Sequence, residues 1–274
     1  MRIVSLIENT PGYTGCAYEH GLCLYIETEH HRLLADTGAS DAFIRNAEML
    51  GIDLTAVDTV ILSHGHYDHT GGVSAFARLN PDAAVYLQKC ADAAFYHGEK
   101  YIGIDPAILQ LPQIRLINGD LRIDDELFLF SGITGRRYTP ESNSELTVKD
   151  ENGTVRQDDF RHEQCLIITE NDKRVLVSGC AHNGILNILD RYHDFSDKEP
   201  DMGISGFHMM KKGDYTPDEI RTVRTIAEEL NRSGTIWYTG HCTGGPAFEM
   251  MRAIMGDKLK HIHSGMELLS DSGI

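Results

Sequence analysis

Ser63-His64-Gly65-His66-Tyr67-Asp68-His69-Thr70-Gly71-Gly72 is the stretch on which the reading of this 274-residue chain depends. Three imidazoles and a carboxylate fall within six consecutive positions, directly after the apolar run Val57–Leu62. A short loop leaving a strand end can turn alternate side chains inward, with Gly65 beside the first of them and Gly71-Gly72 beyond the last easing the backbone. Zinc and iron bind neutral imidazoles and carboxylates that converge on one point. His64 and His66 are therefore read as sharing one ion, and Asp68 and His69, further round the turn, as facing a second. A metal pair of this kind lets hydroxide form near neutral pH. The plain alternative is a polar loop with accidental histidines, in a chain that has 14 of them; the spacing after a buried strand favours metal.

Working outward, strand and helix patterns alternate in two passes. Ile3–Ile7, Leu22–Ile26, Arg32–Ala35 and Val57–Leu62 read as strands. Asp41–Leu50 has helical spacing closed by Gly51, and Val73–Leu79 reads as a helix stopped by Asn80-Pro81. A further helix is expected over Ala91–Tyr96, and no assignment follows for Gly98–Asn118. The second pass begins near Leu127 with a strand at Leu127–Phe130. Gly132–His162 is then a long polar segment, a functional lid or an excursion, with at most a hairpin at "DENGTV". Cys165–Thr169 and Arg174–Ser178 flank a hairpin turn, Ile185–Tyr192 is helical, and Met202–Phe207 is a possible strand. Thr216 and Glu219 form a capping box for a helix over Pro217–Leu230. Strand Thr235–Thr239, helix Ala247–Met255 and strand Met266–Leu269 complete the chain. Two β-then-α halves, about 1–126 and 127–274, predict a single α/β domain: a four-layer αββα sandwich with the helices outside.

Composition narrows the function. With 41% hydrophobic and 24% charged residues the chain can bury a large core. Its 25 basic and 41 acidic residues give a net charge of −16, which repels a polyphosphate backbone, so no nucleic-acid partner is expected. No apolar stretch approaches membrane-spanning length, and the N-terminal residues read as a first strand, which predicts a cytoplasmic protein without a membrane partner. The six cysteines form no CxxC pair and read as reduced thiols. Oligomeric state stays open.

The His64–His69 run followed by Thr70-Gly71-Gly72 resembles the HxHxDH signature of the metallo-β-lactamase superfamily. "LLADTGAS", from Leu33, resembles that superfamily's first motif, in which an aspartate, here Asp36, orients the metal loop. "GCAHNGILNIL" from Gly179, "GFHMM" from Gly206 and "YTGHCTGG" from Tyr238 look like the branch of ribofuranosylaminobenzene-phosphate or dihydropterin-linked synthases. The resemblance implies the four-layer fold and one or two divalent ions, zinc first, with iron or manganese as alternatives. It implies that His241 completes the second metal with Asp68 and His69. "VLVSGC" stands where the superfamily has a "TGD"-like strand end, so Cys180 takes the aspartate's place or His182 replaces it. Either His182 or His162 completes the first metal with His64 and His66; His182 is favoured because it follows a buried strand among small residues.

Other residues have both a functional and a plain reading. His208 can face the pocket or be a structural histidine, and Cys180 can be a soft ligand or a buried thiol. Arg136 and Arg137 can clamp an anionic substrate or simply lie in solvent. His30 and His31 read as solvent-facing, His261 and His263 as surface or edge-strand residues, and the methionines at 209, 210, 250, 251 and 255 as core. The reaction expected is hydrolysis of a small-molecule ester, lactone or phosphoester by hydroxide held on metal, with Asp68 positioning it. The alternatives are a pterin- or phosphoribosyl-linked synthase and an iron-dependent redox or electron-transfer protein.

Overall fold

Neighbouring residues of the central strands turn to different cores, and that alternation builds the layers. The computed structural model describes residues 1–150 and 152–270. Leu33 packs between the two large sheets while Leu34 faces the outer helices; Ile61 and Val60 divide in the same way. On the second sheet Leu166, Ile168, Val175 and Val177 face inward, and Ile167 and Leu176 face the helices. Three apolar clusters result, one between the sheets and one under each helical layer. Each fully buried Leu or Ile contributes about 1.5–3 kcal/mol, so these clusters fix which face of each strand turns inward.

The first sheet runs in the order Glu267–Leu269, Arg2–Ile7, Cys23–Glu27, Arg32–Ala35, Thr59–Ile61, Ala84–Gln88, Ile114–Ile117. The second runs Leu259–His261, Ile236–Thr239, Met202–Ile204, Lys173–Val177, Cys165–Glu170, Leu127–Phe130, Leu121–Arg122. In each, one half is antiparallel and the other parallel. Helices α1 (Ala42–Met49) and α3 (Val73–Leu79) cover the first sheet, with the single turn α2 (Tyr67–Thr70) between them in sequence. Helices α4 (Ile185–Tyr192), α5 (Pro217–Leu230) and α6 (Gly245–Met255) cover the second. The capping box of α5 is present: Glu219 N donates to Thr216 Oγ1 at 3.2 Å and Thr216 N to Glu219 Oε2 at 2.6 Å. This is the expected αββα sandwich. The loops leaving the C-terminal ends of parallel strands from both sheets, after Ala35, Ile61, Val177, Ile204 and Thr239, gather at one end, where open α/β sheets commonly place ligands. Among the described residues no helix is long and apolar enough to cross a membrane.

Several expectations change. The two halves exchange strands: Glu267–Leu269 lies on the first sheet beside Arg2–Ile7, and Leu121–Arg122 lies on the second. The helix expected over Ala91–Tyr96 is a short 3-10 turn, Lys89–Asp92, followed by a strand, Ala94–His97. That strand pairs with Leu146–Lys149, some fifty residues away, and the shared cluster of Phe95, Ile102, Leu146, Val148 and Phe160 outweighs local helical spacing. Leu146–Lys149 also pairs with Val155–Gln157 as the hairpin at "DENGTV", of which Glu151 lies outside the described residues. The polar segment is thus part of a small third sheet standing beside the loop end of the sandwich. Met210 is exposed, because the turn after His208 carries it out of the helix-side core.

His31 does not simply face solvent. At the end opposite the gathered loops, its Nδ1 meets Asp58 Oδ1 at 2.8 Å on the first sheet and its Nε2 meets Asp124 Oδ2 at 2.5 Å on the second. Burial works against the cation, but hydrogen bonds and charge from the two carboxylates outweigh it and raise the His31 pKa. Asp124 stays ionised well into acid, since its backbone and His31 hydrogen bonds outweigh its burial and lower its pKa. A raised histidine pKa stabilises the fold fully below the ordinary value near 6.5, and that contribution fades as pH rises through the folded-state value. Urea unfolding of wild type and His31→Ala should therefore differ more at about pH 5.5 than at about pH 8.5, with exposure limiting the difference to about 1 kcal/mol. An equal difference at both values contradicts this clamp.

Candidate metal centre

Asp36 leaves its strand with φ +61°, a left-handed turn that aims its carboxylate into the sandwich. Oδ1 accepts from Ser63 N at 2.7 Å and Oδ2 from Ser63 Oγ at 2.8 Å. The same Oδ2 accepts from His69 Nδ1 at 2.6 Å. Because the Ser63 hydroxyl proton is given to Asp36, its oxygen accepts from His64 Nδ1 at 2.9 Å. One buried carboxylate thus fixes the orientation and tautomer of two histidines. The other two in this arrangement are held alike: His182 Nδ1 donates to Asn143 Oδ1 at 3.1 Å and His241 Nδ1 to Asn9 Oδ1 at 2.8 Å.

With each Nδ1 occupied, each Nε2 turns inward. His182 Nε2 lies 3.3 Å from His64 Nε2, and His69 Nε2 lies 3.1 Å from His241 Nε2. Two nitrogens bound to one tetrahedral ion at about 2.0–2.1 Å stand about 3.3 Å apart. His66 Nε2 is buried without a hydrogen-bond partner, and it closes a triangle with His64 and His182 in which all ligand atoms lie within 4.8 Å of one another. Around the second pair, Asp68 Oδ2 is 3.3 Å from His241 Nε2 and 3.8 Å from His69 Nε2. Cys180 Sγ sits 3.2 Å from His69 Nε2 and within ligand distance of both groups. The donor set fits one or two divalent ions: imidazoles around the first position; imidazoles, a carboxylate and a thiol around the second.

Charge agrees with this fit. Burial, with neighbouring imidazoles, holds His64 and His182 well below the ordinary histidine range and brings His66 to about 3, so all three are neutral donors. Burial also lowers His241. His69 differs: burial pulls it down, but the Asp36 and Asp68 carboxylates outweigh that and bring it to about 9. Without a metal it is therefore a cation that a bound ion must displace. Burial opposes ionisation of Asp68 as well, yet His69, His20 and His241 hold its carboxyl well below the usual range. Burial pushes the Cys180 thiol well up, so thiolate binding there also needs the ion to expel a proton.

Glycine enters where backbones nearly touch. A Cβ on Gly71 would sit 2.2 Å from Ala39 O, which lets the histidine turn pack on the loop after Asp36. A Cβ on Gly179 would sit 2.2 Å from Ser63 Oγ, inside the hydroxyl relay. Ala181, His208 and His241 share the left-handed backbone of Asp36. Such conformations cost about 1–3 kcal/mol each and persist where surrounding bonds impose them. Here the buried Glu163 fixes the loop by accepting from His182 N and Asn183 N at 2.6 and 2.9 Å, and the buried Glu8 accepts from His241 N at 2.5 Å.

The structure brings His64, His66, Asp68, His69, His182, His241 and Cys180 together. His162 is close but occupied: its Nδ1 accepts from Gly65 N at 3.0 Å and its Nε2 donates to Asp158 Oδ2 at 3.1 Å. It braces the loop, while its Nε2 with Asp158 and His66 forms a further group whose ligand atoms lie within 4.8 Å of one another. His208 lines the cavity, its Nδ1 on Ser142 Oγ at 2.8 Å and its ring 4.2 Å from that of His182. Arg136 and Arg137 are not at the site. Arg136 folds back onto the carbonyls of Ile133 and Gly135, and Arg137 makes a two-bond ion pair with Asp190 of α4, at 2.9 and 2.7 Å. Sequence reading missed His20, whose Nε2 reaches Asp68 Oδ2 at 3.3 Å. It also missed Asn9, Asn143, Asp158 and Glu163. The acidic residues flanking His162 in "DDFRHEQ" were the one available signal.

His20, His66, Asp68, Cys180, His182 and His241 line a cavity of about 640 Å³, with Lys100, Lys211 and Lys212 among its walls. Comparison with known proteins agrees with the geometry. Residues 18–146 match the model of the metallo-beta-lactamase superfamily. An uncharacterised protein of Methanocaldococcus jannaschii is 28% identical over 94% of this chain and 96% of its own length. The 7,8-dihydropterin-6-methyl-4-(beta-D-ribofuranosyl)-aminobenzene-5'-phosphate synthase of the same organism is 27% identical over 97% of this chain and 95% of its own. The crystal structure of Tm1679, described as a metal-dependent hydrolase of the beta-lactamase superfamily, superposes with a TM-score of 0.83 at 31% identity, covering 98% of this chain and 99% of that one. With its Asp36–Ser63 relay and converging histidines, this chain belongs to the metallo-beta-lactamase superfamily.

Proposed function

We propose that the protein is a hydrolase of a small-molecule ester, lactone or phosphoester. It would work with one or two divalent ions, zinc by the nitrogen, oxygen and sulfur character of the donors. The observation that supports this reading is the set of four histidines with Nδ1 tied to an oxygen and Nε2 turned inward in two close pairs. His64, His66 and His182 would hold one ion, and Asp68, His69 and His241 the other, with Cys180 in the place between them. A divalent ion there makes water acidic enough to ionise near neutral pH and polarises the electrophilic oxygen of the substrate.

The chain's own groups do the positioning. Asp68, restrained by His20 and His241, orients the attacking water with its carboxylate. Asp36 keeps His64 and His69 in the tautomer that presents Nε2. The cavity takes a small molecule, and its wall carries Lys100 and Lys212, Lys211 paired with Glu219, and the carboxylates of Glu141 and Glu145. A second reading, a synthase that joins a phosphorylated aromatic unit, is favoured by the nearly full-length match to the pterin-linked synthase. Binding of a phosphorylated aromatic compound without turnover of any ester in a broad panel would select it.

Metal analysis of purified, reconstituted protein should give between about one and two equivalents of zinc, iron or manganese per chain. His182→Ala should lose about one equivalent while His162→Gln keeps its metal. Less than about half an equivalent in wild type, or equal loss in both variants, contradicts the ligand assignment. In a screen of lactones, phosphoesters and thioesters, activity should vanish with chelator and return with metal. Asp68→Asn should lower kcat by about a hundredfold or more on the best substrate. A variant with full metal content and wild-type kcat removes Asp68 from the mechanism.

A further inference from the structure

Beside the metal cavity lies a second one, of about 280 Å³, and Ser142, His208, Glu141, Lys211 and Glu219 line both. Its far walls are apolar: Tyr138, Ile185, Phe207, Tyr215, Val223 and Ile226, from the polar segment, α4, the loop after Met202–Ile204, and α5. The space is a cleft half open to solvent, and its volume exceeds the roughly 150 Å³ of an apolar cavity known to hold a benzene ring. Ile185, Phe207, Val223 and Ile226 are otherwise buried members of the helix-side core, so the space is framed by rigid elements. Between the two cavities stands the His208 ring, pinned by Ser142 and 4.2 Å from the His182 ring. An occupant is therefore one imidazole's width from a candidate ligand.

We infer that this side cavity is a binding subsite for a flat, ring-bearing apolar group, aryl or bicyclic, carried by the same small molecule whose reactive bond lies over His64, His66 and His182. The inference rests on the reading of the larger cavity as the substrate site. The size of the pocket and its aromatic and branched walls select the ring. Hydroxyls of Thr139 and Thr222 on its wall offer hydrogen bonds to ring heteroatoms. Specificity would then come from α5 and the 138–142 segment, apart from the metal-ligand loops.

Binding can be read without turnover, so failure of the hydrolytic reading and failure of the subsite are told apart. The probe is a neutral solvatochromic naphthalene, 6-propionyl-2-(dimethylamino)naphthalene, titrated into metal-loaded protein. A single site with blue-shifted emission is expected, and in ¹³C-methyl spectra the Ile185, Val223 and Ile226 signals should move while Ile26 and Ile168 of the inter-sheet core stay fixed. Thr222→Trp and Ile226→Trp, which fill the space, should weaken binding by about tenfold or more with metal content retained. If one variant fails to fold, the other and the wild-type methyl shifts still decide the matter. No binding, binding without movement of those methyls, or equal affinity in a folded, filled variant overturns the proposal.

Discussion

The bond from the Asp36 carboxylate to Ser63 and His69 is the constraint on which the rest of the centre depends. A single oxygen, Oδ2, accepts from the Ser63 hydroxyl and from His69 Nδ1, and the hydroxyl in turn accepts from His64 Nδ1. This relay reaches one histidine of each candidate metal position. It needs a strand ending in a left-handed aspartate, a serine directly before the first histidine, and a glycine, Gly179, where a side chain would displace that serine. These requirements come from three separate parts of the chain and are met at one point by the packing of the two sheets.

Gathering imidazoles in a dry interior is unfavourable unless they stay neutral or acquire a partner. Burial holds His64, His66 and His182 neutral, which is the form that binds metal. The unpartnered His66 Nε2 and the paired Nε2 atoms are costs that a bound cation relieves. Left-handed backbone at Asp36, Ala181, His208 and His241 is a further cost at the same end, held in place by the buried carboxylates of Glu8 and Glu163. Left-handed backbone gathers where the sandwich brings its loops together, while buried polar atoms without a hydrogen bond also occur in the strands beneath, at Ser5 and Trp237.

What could be read from sequence divides along the range of the interactions. The strands were legible because Leu33-Leu34 and Leu166-Ile167-Ile168 are apolar runs of Leu and Ile, whereas their division between two cores is seen only in the structure. The His64–His69 cluster was legible because its spacing is confined to one loop, and Asp36 and His241 were reached through the family resemblance. The choice between His162 and His182 was not settled by sequence, since both reach His66 from distant parts of the chain, His182 together with His64 and His162 together with Asp158. His20 and Asn143 were invisible for a related reason: each acts across more than thirty residues on a group with which it shares no motif. The strand at Ala94–His97 was missed because its partner lies beyond any local window, and the arginines at 136 and 137 were placed at the site by chemistry alone, without knowledge of Asp190.

The most direct measurement of the central claim is anomalous X-ray scattering, at the absorption edge of the metal, from crystals of the metal-loaded protein. The account predicts a peak at about 2.0–2.2 Å from the Nε2 atoms of His64, His66 and His182 together, with any second peak beside Asp68, His69 and His241. A peak bound elsewhere on the protein, or a fully loaded crystal in which these three nitrogens coordinate nothing, would contradict it.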